Sequence, residues 1–321
     1  MDDKNEVPIV FSVSDFMAPI FYVSLRSLLI NKREKCRIFV LYRHISSQNL
    51  EIIKTLEDDF ECNIEFFNIK NYLPDSLDIE NLKKFAPHIT EESFFRLLLP
   101  EIFPKEDKII FLDADIIVKK NIFDILQEVD ESKVINACRD LVITQGAEAG
   151  TADLDNYFIN ILKNEKRNYF QAGIFVFNLR VFRKNYSGIK LWDYFKKEKW
   201  QFADQDILNF VFSDSINFIN PQWNILHDND GRHIPIIRKL KEKEWSEEYF
   251  EARKNPAIIH YAGNQKPWFV PNCDLGIHFW AYARNTVVYE ILISILVNGV
   301  SHAIVDQTVQ YLNIKKRRKL F

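Results

Sequence analysis

From residue 8 the chain alternates short apolar runs with longer amphipathic ones. Residues 8–14, Pro-Ile-Val-Phe-Ser-Val-Ser, form an apolar run that turns polar at its end, which predicts a buried strand. Residues 18–30 carry the wider spacing of a helix. Residues 36–42 predict a second strand, 47–58 a second helix with Ser47 as N-cap, and 62–67 a third strand. Residues 78–85 and 90–99 read as helical, and 108–112 as a fourth strand. Strands alternating with helices predict a mainly parallel sheet covered on both faces. Ligands of such sheets lie beyond the carboxyl ends of the strands. Ser12-Val-Ser-Asp15 and Asp113-Ala-Asp115 both fall at such ends.

Past residue 120 the pattern is mixed. A short strand is predicted at 133–137, then a polar, irregular stretch at 141–168 with a helix at 153–162, suited to a loop or lid. Residues 170–178 predict a strand, 191–197 and 203–212 helices, 257–261 a last strand and 276–296 one long helix. No Pro/Gly/Ser-rich linker and no internal repeat divides the chain. The expected division is one α/β domain over 1–270 with a helical C-terminal extension over 271–321.

Composition narrows the chemistry. The chain has 321 residues, enough for a sizeable core, and a net charge of −3, which argues against a nucleic-acid footprint. Eight glycines leave no Gly-rich phosphate loop, so any phosphate must be held by metal and basic side chains. Cys36, Cys62, Cys138 and Cys273 have no metal-ligand spacing and read as free thiols in a reducing compartment. The acidic start, Met1 to Glu6, does not read as a leader. The apolar stretch 287–300 is shorter than the ~20 residues that span a bilayer.

Two segments carry candidate chemistry. Phe-Leu-Asp-Ala-Asp at 111–115 sets Asp113 and Asp115 at the rim of a buried strand, where like charges need an offsetting cation. Two such residues often merely face solvent. His-Tyr-Ala-Gly-Asn-Gln-Lys-Pro-Trp at 260–268 supplies His260 and Lys266. A lone histidine after a strand is more often structural, but Gly263 permits close approach and Pro267 stiffens the loop. Carboxylates with one imidazole suit a divalent ion such as Mn²⁺, and a nearby cation suits phosphate oxygens.

With these segments the chain resembles glycosyltransferase family 8, particularly the bacterial lipopolysaccharide galactosyl- and glucosyltransferases. The resemblance rests on six motifs in order: Val-Phe-Ser-Val-Ser-Asp at 10–15, Ser-Phe-Phe-Arg-Leu-Leu-Leu-Pro at 93–100, Phe-Leu-Asp-Ala-Asp at 111–115, Phe-Gln-Ala-Gly-Ile-Phe-Val-Phe-Asn-Leu at 170–179, Asp-Gln-Asp-Ile-Leu-Asn at 204–209, and the His260 loop. It implies a GT-A fold, a Rossmann-like sheet flanked by helices. It implies Mn²⁺, or Mg²⁺, on Asp113, Asp115 and His260. The nucleotide-sugar would meet Ser12, Ser14, Asp15, Arg96, Asp113, Ala114, Asp140, Gln171, Gly263 and Lys266. Ser14-Asp15-Phe16-Met17 departs from the family's acidic-Asn-Tyr pattern, with Phe16 or Met17 in place of the aromatic over the base. Gln171 replaces the commoner Asn.

The implied activity is retaining, metal-dependent hexosyl transfer, of galactose or glucose, from a UDP-sugar to a saccharide or lipid-linked saccharide acceptor in cell-surface glycan or lipopolysaccharide-type synthesis. Gln205 and Asp204 are the catalytic candidates, and Asp204 also reads as a helix N-cap. Lys315, Lys316, Arg317, Arg318 and Lys319 follow an amphipathic run, 304–314. Such a run is usually a solvated tail. Beside lipid-linked acceptors it also fits peripheral contact with an anionic membrane, at the inner face of a cytoplasmic location. Two rivals remain. A haloacid-dehalogenase-type phosphatase also uses Asp-x-Asp, but after its first strand. A non-catalytic nucleotide-sugar-binding protein would need a degraded site, yet every metal and phosphate position holds a competent residue.

Overall fold

The computed structural model describes residues 7–72, 90–148, 152–164, 168–195 and 197–298. The expected helix at 78–85, the amphipathic run 304–314 and the basic run 315–319 lie outside the described residues. The strands are β1 (Ile9–Ser12), β2 (Arg37–Tyr42), β3 (Asn63–Asn68), β4 (Lys108–Leu112), β5 (Ile116–Val118), β6 (Ile135–Arg139), β7 (Phe170–Asn178), β8 (Ile216–Phe218), β9 (Ile225–Leu226) and β10 (Ile258–His260). Seven of them form one sheet in the order β3-β2-β1-β4-β7-β6-β8. The first four run parallel, β7 runs against both neighbours, and β8 is parallel to β6. A smaller sheet, β5-β10-β9, sits beyond the end of β4.

Both faces of the main sheet are covered, so the interior positions of its central strands are apolar on both sides. Successive side chains of a strand point to opposite faces. Ile9, Phe11, Ile110 and Leu112 accordingly pack into one core, and Val10, Ile109 and Phe111 into the other. The second core takes many of the phenylalanines; Phe111 and Phe175 stack across β4 and β7 at 5.2 Å. The antiparallel course of β7 decides where its first residues go. Leu112 at the end of β4 pairs with Ile174, and the Asp113 N–H donates to the Gly173 carbonyl at 2.7 Å. The start of β7 therefore meets the carboxyl ends of its neighbours.

The helices are α1 (Ala18–Asn31), α2 (Ser47–Asp59), α3 (Leu99–Ile102), α4 (Leu141–Glu148), α5 (Ala152–Asn160), α6 (Leu179–Asn185), α7 (Ala203–Val211), α8 (His233–Ile237), α9 (Lys243–Lys254) and α10 (Gly276–Ala283). Several expectations need correction. Residues 91–98 form a 3-10 stretch and only Leu99–Ile102 is α-helical. The N-cap of α2 is Ser46, which accepts from the Asn49 N–H. Residues 141–148, expected to be irregular, form α4. The long helix expected at 276–296 breaks after Ala283, where Asn285 takes the left-handed conformation that asparagine tolerates, and helix resumes over 289–298. Within it, Phe279, Ala283, Val288 and Leu292 pack into the same core as β1 and α1. Among the described residues no helix is long and apolar enough to cross a membrane.

Candidate active site

The carboxylates of Asp113 and Asp115 stand on the turn between β4 and β5, braced from beneath. Ser24 on α1 sets its hydroxyl against the Ala114 and Ile116 carbonyls at 2.5 and 2.7 Å. β10 pairs antiparallel with β5, placing His260 opposite Ile116. His260 Nε2 thereby lies 3.3 Å from Asp115 Oδ1 and 3.8 Å from Asp113 Oδ2. One oxygen of each carboxylate and an imidazole nitrogen fall within 4.8 Å of one another, a donor set that fits Mn²⁺ or Mg²⁺.

Two basic side chains reach the pair, one to each carboxylate. Lys266 Nζ donates to Asp115 Oδ2 at 2.5 Å and also to the Tyr261 carbonyl. Its loop is clamped by Asn229, whose Oδ1 accepts the N–H groups of Asn264 and Gln265 at 3.1 and 2.9 Å. Gly263, at φ +101°, has no room for a Cβ, which would stand 2.7 Å from Asn229 Cγ. Arg96 is buried from the 3-10 stretch, and a buried guanidinium needs anionic partners. It has two: Asp113 Oδ1 at 2.7 Å and Asp204 Oδ2 at 3.0 Å.

These neighbours set the charges. Burial would raise Asp115, but Lys266 and His260 hold its carboxyl well below the usual range. Burial pushes Asp113 up, against the pull of Arg96 and with the Asp115 charge adding to the rise. Burial likewise pushes Asp204 up to about 7, against the pull of Arg96. A cation beside Asp113 would oppose the rise that burial and the Asp115 charge give it.

The sugar-side candidates converge from β7, α7 and the end of β6. Asp140 is buried, accepts the Ile143 N–H at 2.9 Å at the start of α4, and accepts Gln205 Nε2 at 3.1 Å. Gln205 Oε1 accepts the Ala172 N–H at 2.9 Å. Asp204 stands in the first turn of α7 but does not cap it; the cap residue is Phe202. That turn contains Ala203 at φ +49° and is held by Asp206, which accepts the Phe202 N–H at 2.6 Å and the hydroxyls of Tyr157 and Tyr169 at 2.5 and 2.6 Å.

The strand-end candidates are more scattered. The Ser12 hydroxyl is buried without a hydrogen-bond partner, and Ser14 Oγ accepts the Met17 N–H at 3.3 Å. Asp15 is turned to α2, where its Oδ1 accepts from Ser46 N–H and Asn49 Nδ2 at 2.8 and 2.7 Å. Phe16 is exposed and stacks on Phe269 at 6.2 Å. A groove of about 530 Å³ bounded by Leu275, Trp280 and Tyr289 contains none of the site's carboxylates. Sequence reasoning missed Asn224, Asn229 and Gly173. Only Gly173, inside the quoted Phe-Gln-Ala-Gly run, carried a signal: a Cβ there would stand 2.4 Å from His260 Cε1 and 2.6 Å from Asp113 Oδ2.

The model of glycosyl transferase family 8 matches residues 8–270. The chain belongs to that family. The family 8 enzyme is 26% identical over 281 residues to a putative glycosyltransferase of Haemophilus influenzae, covering 84% of this chain and 76% of that one. It is 27% identical over 309 residues to a lipopolysaccharide 1,2-glucosyltransferase of Escherichia coli, covering 91% and 80%. Among solved structures, the bifunctional glycosyltransferase WbbM superposes with a TM-score of 0.78 at 26% identity over 92% of this chain. This chain spans about half of that one, 52%. The galactosyltransferase LgtC, solved with donor and acceptor sugar analogues, superposes with a TM-score of 0.66 at 23% identity, over 88% of this chain and 96% of its own. The GT-A expectation and the expectation of a hexosyltransferase stand with these findings. The family 8 assignment also displaces the phosphatase and the non-catalytic readings.

Proposed function

We propose that this enzyme moves a hexose, galactose or glucose, from a UDP-sugar to a saccharide or lipid-linked saccharide acceptor, with retention of anomeric configuration. It would use Mn²⁺ or Mg²⁺ on Asp113, Asp115 and His260 and serve cell-surface glycan synthesis from the cytoplasmic side of the membrane. Residues 1–270 would be the catalytic unit and 271–321 an extension. One observation carries the reading: Lys266 and His260 arrive at Asp115 across about 150 residues of chain and meet it at 2.5 and 3.3 Å.

A bound ion would supply charge neutralisation to the departing diphosphate. The remaining work falls to the chain. An ammonium has three donors; Lys266 gives one each to Asp115 and the Tyr261 carbonyl, leaving one for a phosphate oxygen. Ser12, Ser14, Asp15 and the exposed Phe16 would receive the nucleoside, with Ala114 and Gly263 giving the diphosphate close access to main chain. Asp140 and Gln171 would meet hexose hydroxyls.

For the transfer itself we favour a front-face route. Double displacement needs a carboxylate free to attack the anomeric carbon. Asp204 is ion-paired to Arg96, and both oxygens of Asp140 accept hydrogen bonds. Gln205 Oε1 has a second lone pair beyond its bond to Ala172, able to face positive charge developing on the sugar. The anomeric carbon–phosphate oxygen bond breaks, the acceptor oxygen bonds to the same face, and the acceptor proton passes to the leaving phosphate. The test is UDP release from a panel of UDP-sugars with and without Mn²⁺, with product configuration by NMR. An α-linked product from an α-donor is expected. A β-linked product, or a glycosyl adduct on Asp204 by mass spectrometry, would overturn the route.

The run Lys315, Lys316, Arg317, Arg318 and Lys319 suits an anionic bilayer. Deleting residues 315–321 should reduce binding to anionic vesicles in a salt-screened manner, with donor hydrolysis unaltered. Equal binding by both proteins would return the tail to solvent.

A further inference from the structure

A chain of hydrogen bonds behind His260 starts at a main-chain amide. The Gly173 N–H donates to Gln171 Oε1 at 2.7 Å. A backbone N–H can only donate, so this contact decides which end of the Gln171 amide is oxygen. Asn224 Nδ2 donates to the same oxygen at 2.7 Å. The Asn224 amide is thereby oriented in turn, and its Oδ1 faces His260 Nδ1 at 3.0 Å. An amide oxygen offers only lone pairs, so Nδ1 must carry the proton. Nε2 is then the nitrogen whose lone pair an ion can take, and it is the one that faces Asp113 and Asp115.

The geometry points to Asn224 and Gln171 as positioning residues that fix the tautomer and aim of His260, so that the affinity of the metal site is set by a relay beginning at the Gly173 N–H. This rests on the reading of Asp113, Asp115 and His260 as a metal site. The ring has little freedom to escape the relay. It is 2% exposed, and Gly173 approaches so closely that even a Cβ would overlap its Cε1. An oxygen partner on the far nitrogen fixes both the tautomer and the orientation of a ligating imidazole. The relay has a second effect. Both contacts to Gln171 fall on its oxygen, leaving its Nε2 hydrogens for a ligand. Toward a sugar, Gln171 is therefore a donor and selects an acceptor oxygen.

The test is calorimetric titration of metal-free protein with Mn²⁺ in the absence of any sugar donor. Asn224→Ala and Gln171→Leu should each weaken binding by roughly 10–100-fold, the usual loss for such partners. Gln171→Glu keeps both acceptor contacts and should bind at least as tightly as wild type. In parallel, ¹⁵N NMR of the metal-free imidazoles at alkaline pH, where the rings are neutral, with His260 assigned by its loss in His260→Ala, should show one Nδ1–H tautomer in wild type and a mixture in Asn224→Ala. Wild type that binds no Mn²⁺ would overturn the metal reading itself. Wild type that binds, with folded Asn224→Ala and Gln171→Leu binding within threefold of it, would overturn the relay alone.

Discussion

Two of the chain's Asp-x-Asp triplets, Asp113-Ala-Asp115 and Asp204-Gln-Asp206, do opposite things. The first lies on the bend between β4 and β5. There both carboxylates reach one spot, with His260 and Lys266 against Asp115 and Arg96 against Asp113. The second lies in the first turn of α7, and residues two apart on a helix face away from each other. Asp204 turns to Arg96. Asp206 turns inward, fully buried, to two tyrosine hydroxyls and the Phe202 N–H. Three donors satisfy Asp206 within the protein, so it needs no ligand. The Asp113–Asp115 pair sets two carboxylates side by side where a cation would relieve them. Backbone conformation, not residue spacing, separates the pair proposed to hold an ion from the bracing one.

The sharpest break of this comparison is at the first triplet. Asp115→Asn and His260→Ala should each abolish turnover while circular dichroism stays near wild type. Full activity of either in chelator-treated buffer would remove the metal site. Between the two aspartates of the second triplet, Gln205→Ala should slow turnover by ~10²–10³, typical of one lost electrostatic stabiliser. A smaller change would mean that its carbonyl serves Ala172 alone. Lys266→Ala should weaken UDP binding by ~1.5–3 kcal/mol, as for a hydrogen bond to a charged group. Unaltered affinity would show that the loop does not reach the diphosphate. The smallest effect is expected at the bracing carboxylate. Tyr157→Phe removes one of three donors to Asp206 and should lower unfolding stability by about 1.5 kcal/mol, with metal affinity unmoved. Lost Mn²⁺ binding in that variant would show that the two triplets are not separable.

Long apolar runs made most of the sheet legible. Residues 170–178 and 108–112 were read with the bounds that β7 and β4 have. The antiparallel sense of β7 was not readable, because direction follows from partners rather than from side-chain pattern. β5, β8 and β9 have two or three residues each, too few for any periodicity, and helices α6, α8 and α9 went unread. The family motifs supplied the positions of Asp113, Asp115, His260 and Lys266, and the structure brings those four together. Asn224 was invisible for a physical reason. It acts through an amide 53 residues away and has no charge or spacing to betray it. The Asp204 capping expectation failed because the helix starts at Ala203, so Asp204 lies inside its first turn and its carboxylate turns to Arg96.

The lateness of β10 has a consequence for biosynthesis. Asp113 and Asp115 are made early, whereas the strand that brings His260 to them pairs with β5 across about 140 residues of chain. A ribosome that has just completed β7 has already made six of the seven strands of the main sheet, but neither the imidazole nor the ammonium of the site. Nascent chains and products truncated before residue 258 would thus carry the two acidic groups with Arg96 but without His260 and Lys266. On the proposed reading, the ion-binding set closes only in that late step, when the last strand docks.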